Sequence, residues 1–230
     1  MARANTKTVQ EASPAAVSRF MAQVYLVMGL GLVVTALVAG WVTGNMNLMI
    51  RVATNPWLAW GLFIVQIIIV VALSGAVMRM NAGVAFLLFV LYAALTGVTL
   101  STLFLVYTQE EIASVFWLAA GTFVLTSLFA LITKRDLTGA GNFLFMLLIG
   151  WMFAWIISWF WPSSNFNWAL NFIGIALFVG LTAYDTNRLK QIGAQVETHP
   201  ARGGLVVVGA LALYLDFINL FLLLLRASRR

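Results

Sequence analysis

From Phe20 onward the chain alternates long apolar runs with short polar turns. A helix needs about 20 mostly apolar residues to cross the hydrocarbon core of a bilayer. Seven runs reach that length: Phe20–Val42, Trp57–Met78, Ala82–Tyr107, Ile112–Thr133, Phe143–Trp161, Trp168–Thr186 and Gly204–Leu225. The pattern predicts an all-α membrane protein with seven transmembrane helices. Residues 1–19 read as a polar N-terminal segment, expected to be loosely ordered, and 20–230 as one seven-span transmembrane domain. Residues 1–19 do not read as a signal peptide: the apolar run behind them is too long, and no small-x-small cleavage site follows it.

Composition agrees with a bilayer as solvent. Charged residues make up 9% of the chain, against about 25% in soluble domains. There is no cysteine, which removes disulfides, thiolate metal sites and thiol catalysis. The single histidine, His199, falls in a polar loop, so no tightly bound metal and no cofactor are expected. The net charge of +6 would suggest nucleic acid in a soluble protein. Here the basic residues lie between or beyond the apolar runs, so membrane orientation explains them better and nucleic acid is excluded.

With the N-terminus inside, the inner segments carry Arg3, Lys7, Arg19, Arg79, Lys134, Arg135, Arg188, Lys190 and Arg202. The outer side carries Arg51, Arg226, Arg229 and Arg230. The excess on one side favours a cytoplasmic N-terminus. Trp41, Trp57, Trp60, Trp117, Trp159, Trp161 and Trp168 fall near the outer ends, where indoles sit at headgroup level. The arginines after span 7 are discordant. Either they snorkel outward from a full span, which is the preferred reading, or span 7 is re-entrant and the C-terminus is inside. Small residues at spacing four, Ala93, Gly97 and Ser101 in span 3 and Ala176 and Gly180 in span 6, read as close helix packing. No convincing internal repeat is present.

Two aspartates lie inside the last two runs: Asp185 in GLTAYDTNRLK and Asp216 in LALYLDFINLFLLLLR. A carboxylate at membrane depth is costly without a partner and marks a functional site by default. On a helix, Gly209, Ala212, Leu213, Asp216 and Asn219 share a small, polar face that should point into the bundle. Asp216 has no basic residue within four positions. Its bland reading is a structural hydrogen bond to Asn or Tyr. Asp185 either pairs locally with Arg188, one turn on, or turns inward with Thr182 toward span 7. In the second case the two carboxyls share one proton, titrate as a unit and form a pH sensor and gate. Thr182 and Asn219 are then candidate pore-lining residues. Arg79, at the inner end of span 2, either reaches the pair or marks the membrane edge. Glu110 and Glu111, in the outer turn between spans 3 and 4, form a candidate outer cation mouth or an ordinary solvated loop. Trp151, Trp155 and Trp159 on span 5 read as packing.

The segments AYDTNRLK and LALYLDFINLFLLLLR resemble the C-terminal motifs of the Bax inhibitor-1 family, also called the transmembrane Bax-inhibitor-motif family. LYAALTGVTLSTLF resembles its central region, and the polar N-terminus followed by MAQVYLVMGLGL resembles its bacterial branch. The resemblance covers all seven spans. It implies a last helix that is central and wrapped by the other six. It also implies a pH-dependent calcium leak, controlled by a proton-sharing aspartate pair on spans 6 and 7, here Asp185 and Asp216. A basic residue on span 2 is associated with that pair, and Arg79 is the candidate by position. A Gly-Pro element familiar near span 3 is absent, since this chain has GVTLS there.

The leading functional expectation is therefore a proton-gated, non-enzymatic cation leak, with calcium as the transported ion. The protein is expected in the bacterial inner membrane, as a monomer in lipid. An interaction protein that restrains another membrane protein, such as a membrane protease, is the alternative; it would use residues 1–19 and dispense with the aspartates. An intramembrane aspartyl protease is disfavoured, because the Gly-x-Gly-Asp element such enzymes carry is replaced here by Leu213 and Leu215.

Overall fold

A computed structural model describes residues 14–133, 135–161, 163–196 and 199–229. It contains eight α-helices: α1 (Pro14–Thr43), α2 (Met46–Thr54), α3 (Pro56–Ala76), α4 (Ala82–Leu100), α5 (Gln109–Ile132), α6 (Gly141–Phe160), α7 (Ser164–Gln195) and α8 (Arg202–Ser228). Two short 3-10 turns, Ser101–Leu105 and Thr138–Ala140, complete the order, and no strand occurs among the described residues. Among the described residues, seven helices are long and apolar enough to cross a membrane. They correspond one to one with the seven apolar runs.

The polar turns start the helices by satisfying orphan N–H groups. Asn55 accepts from the Trp57 and Leu58 amides ahead of Pro56 at the first position of α3. Asn81 caps α4, and Ser163 caps α7. Thr108 and Glu111 form a reciprocal capping box on α5.

Three features depart from the apolar pattern. First, α1 begins at Pro14, so residues 14–19 are helical rather than loosely ordered. Proline suits a first helical turn, where its missing N–H costs nothing; residues 1–13 lie outside the described residues. Second, α2 is a short amphipathic helix between the first two spans, burying Met49 and Val52. Third, α7 continues past Thr186 to Gln195. Asp185 therefore sits in helix interior rather than near a helix end.

Central position falls to α8. It packs chiefly on α1, α4, α5 and α7, while α3 packs on α4 and α6 on α7. The wrapping is thus two-tiered, with four helices against α8 and α3 and α6 outside them. Most of the apolar stretch of α8 is buried, 61%, against 33% or less in every other span. Tyr214 ties the centre together. Its hydroxyl lies 2.6 Å from Thr35 Oγ1 of α1, which also lies 2.9 Å from the Ala93 carbonyl of α4. Its ring meets Phe89 and Tyr92 of α4 edge-on. As one continuous helix of 27 residues, α8 fits a full span rather than a re-entrant one.

Candidate functional site

The site is the antiparallel interface of α7 and α8. Two contacts fix its register. Asn171 Nδ2 donates to the Leu223 carbonyl at 3.0 Å, with Gly174 against the Leu223 side chain. Further along, Leu189 packs on Gly209. Thr182 lies midway between Gly174 and Leu189, and Asp216 midway between Gly209 and Leu223. The two therefore sit at the same level, with Asp185 one turn along α7. Asp185 shares the helix face of Gly174, Phe178, Thr182 and Leu189, the face that meets α8.

Asp216 is 5% exposed, and its Oδ2 atom is enclosed with no hydrogen-bond partner. The structural hydrogen bond to Asn or Tyr is therefore missing at that oxygen. Asp185 is half-buried and within electrostatic reach of Asp216. It is also within reach of exposed Arg188, yet makes no direct ion pair with it. The geometry matches an inward-turned Asp185 better than a local pair at the edge. The two carboxyls are electrostatic neighbours across the helix interface, with no hydrogen bond between them in this conformation.

The other sequence candidates fall in different places. Thr182 is fully buried at the level of Asp216, but its hydroxyl donates to the Phe178 carbonyl of its own helix at 2.8 Å. Asn219 likewise donates to its own Leu215 carbonyl at 2.8 Å. Neither side chain is bonded to the aspartates. Arg79 is exposed in the turn after α3, beside Val77, which packs on Gly204 at the start of α8. From Gly204 to Asp216 is about 18 Å along the axis. Arg79 has no ion pair with either aspartate and is not brought to the pair. Glu111 closes the α5 capping box, its Oε2 accepting from the Thr108 amide at 2.8 Å, and exposed Glu110 stands beside it. Both line a shallow depression with Ser228.

Polar groups that sequence reasoning passed over surround the inner half of the interface. Ser127 of α5 lies 3.4 Å from Thr186. Lys190 Nζ donates to the Leu131 carbonyl at 2.6 Å and to the Thr133 carbonyl at 3.4 Å, placing a cation at the C-terminus of α5. Asn187 accepts from the Leu137 amide at 3.3 Å. Lys190 and Asn187 line a cavity of about 830 Å³ together with Met21 and Tyr25 of α1. Neither aspartate borders it. The available signal was the run of polar residues on one side of NRLKQ, which resembles an ordinary loop when read alone.

The matching family model is described as inhibitor of apoptosis-promoting Bax1 and covers residues 17–228. Among curated proteins, the chain is 47% identical to the inner membrane protein YbhL of Escherichia coli K12, over 92% of each chain. It is 40% identical to an uncharacterized protein of Deinococcus radiodurans, over 91% of this chain and 89% of that one. An uncharacterized protein of Borreliella burgdorferi is 37% identical over 91% and 90%. The chain belongs to the Bax inhibitor-1 family.

Proposed function

We propose that this member of the Bax inhibitor-1 family is a pH-sensitive cation leak, with calcium as the transported ion and Asp185 and Asp216 as sensor and gate. The observation that carries the reading is Asp216 itself: a carboxyl enclosed at the centre of the bundle, with an unpartnered oxygen and a second carboxyl as its electrostatic neighbour. When the pair shares a proton, α7 and α8 are held together and the centre is sealed. Loss of the proton adds charge to the interface, drives the carboxyls apart and creates oxygen ligands of the kind calcium takes. The two-state element is the packing of α8 against α7.

The reading is of a passive pathway and not an enzyme. The name of the Escherichia coli relative supports the bacterial inner membrane as the location. The basic-residue count supports a cytoplasmic N-terminus.

The test is calcium flux into liposomes holding the purified protein, at about pH 6 and about pH 8, a range in which a buried carboxyl pair titrates. Flux should rise with pH, and Asp185→Asn or Asp216→Asn should flatten the profile. No flux above empty liposomes at either pH sinks the leak. It would turn attention to restraint of another membrane protein, tested by deletion of residues 1–19.

A further inference from the structure

At the opposite end of the bundle from the Lys190 cavity, a second cleft lies between the end of α6, the start of α7 and the end of α8. Its volume is about 480 Å³. One wall is built of indoles, Trp151, Trp155 and Trp159 along a face of α6, with Trp168 of α7 across from them. Trp155 and Trp159 contact each other at 4.8 Å between centroids. The other wall carries Arg226 and Arg229 from α8 and the residue after it.

The two arginines are held by rings. Arg226 lies over Trp155, 5.7 Å from the centroid, and Arg229 over Tyr107 at 5.2 Å. Contact with a ring face leaves the in-plane N–H donors of a guanidinium free. No acidic side chain lines the cleft. Among the described residues neither guanidinium forms an ion pair, and Glu110 and Glu111 lie in the separate depression around Ser228. Ser164 and Asn167 add hydrogen-bonding groups to the lining, and the Asn171 Oδ1 atom is enclosed there without a partner. Beside the cleft stand the exposed side chains of Phe160, Trp161 and Phe172, on helices whose outer faces are apolar. An occupant from the lipid phase therefore meets apolar surface at the edge of the cleft.

Two guanidiniums without an ion pair, hydroxyl and amide partners, an indole wall and an apolar flank are the features an anionic phospholipid requires. Its phosphate accepts from the guanidiniums. Hydroxyls on its headgroup meet Ser164 and Asn167. Its acyl chains run along the outer face of α6. Indoles at headgroup level are where tryptophan is most stable in a bilayer. We propose that this cleft binds a phospholipid of the phosphatidylglycerol class. The site also accounts for Arg226 and Arg229, which run against the orientation set by the other basic residues: they serve a ligand rather than topology.

The experiment is native mass spectrometry of the full-length protein, released from an uncharged detergent and titrated with phosphatidylglycerol, with phosphatidylcholine or with glycerol phosphate. An arginine near an anionic lipid surface contributes about a fivefold preference. Phosphatidylglycerol adducts should therefore appear at a concentration at least about fivefold lower than phosphatidylcholine adducts. The double variant Arg226→Gln, Arg229→Gln should lose that preference, while Arg51→Gln, a cation elsewhere on α2, should keep it. Equal binding of the two lipids by the unaltered protein overturns the proposal without recourse to any variant. So does retention of the preference in the double variant, or its loss in Arg51→Gln. Displacement of bound lipid by glycerol phosphate alone would assign the cleft to a soluble anion instead.

Discussion

Helices α6 and α8 are equally apolar and occupy opposite positions. Their mean hydropathies are 2.1 and 2.2, yet 6% of the apolar stretch is buried in α6 and 61% in α8. In water, hydrophobicity would bury both. In a bilayer the lipid is as apolar as leucine, so apolar bulk gives no inward drive. Small and polar groups decide instead. Around its circumference α8 carries Gly204, Gly209, Tyr214 and Asp216, all buried. Over most of its length α6 carries Phe, Met, Leu, Ile and Trp around the whole helix and buries only Ser158. The position of a helix here follows from where its hydrogen bonds and close contacts lie.

That contrast is open to direct attack. Tyr214→Ala removes a fully buried ring and the hydroxyl that joins α1 to α8. It should cost about 3–5 kcal/mol, the range for large aromatics cut to alanine, read by denaturant titration in detergent micelles. A loss under about 1 kcal/mol would mean that α8 is not the organising helix. Gly97→Ala comes next. A Cβ at Gly97 would meet the Thr35 carbonyl oxygen at 2.6 Å, and backbone cannot step aside. The α1–α4 contact must open, at a cost of about 1–3 kcal/mol. Tyr214→Phe keeps the ring and deletes the hydroxyl, which contacts Thr35 at 2.6 Å and also interacts with Thr96. It should cost about 0.6–1 kcal/mol, since hydrogen bonds inside membranes are worth little more than elsewhere. On α6 the sign should reverse: a Cβ at Gly150 meets nothing within 4 Å. Gly150→Ala should stabilise by at most about 0.5–1 kcal/mol through helix propensity alone. Destabilisation there would show that α6 has a neighbour on its outer face.

The sequence pattern carried the count and order of the spans, because crossing a bilayer is a local requirement on length and polarity. It also carried Asp216, since a charge in an apolar run is visible without a structure. What it hid depends on partners far along the chain. The extension of α7 past Thr186 looks like loop because Asn187, Lys190 and Gln191 are polar. In the fold those side chains bond to Leu137, Leu131 and Asp136, residues after or at the end of α5. Arg79 was placed near the pair by its side of the membrane alone, and side does not give depth. Thr35 passed unnoticed because a single threonine in an apolar run is unremarkable until Tyr214 is set beside it. The indole stripe of α6 read as packing for the same reason, since Arg226 lies far away in sequence.

At 32 residues, α7 is about 48 Å long, and α1, with 30, about 45 Å. The hydrocarbon core is about 30 Å thick. The surplus of both helices gathers at one end, where Phe20 of α1 packs on Gly193 of α7. These two helices are therefore long enough to build a stump beyond the lipid tails. No positive-φ residue interrupts the described backbone, and no proline interrupts α7. A rod of this kind transmits displacement along its length. Asp185 lies about 15 Å from the Gln195 end, so unbroken helix joins the stump to the level of the two aspartates.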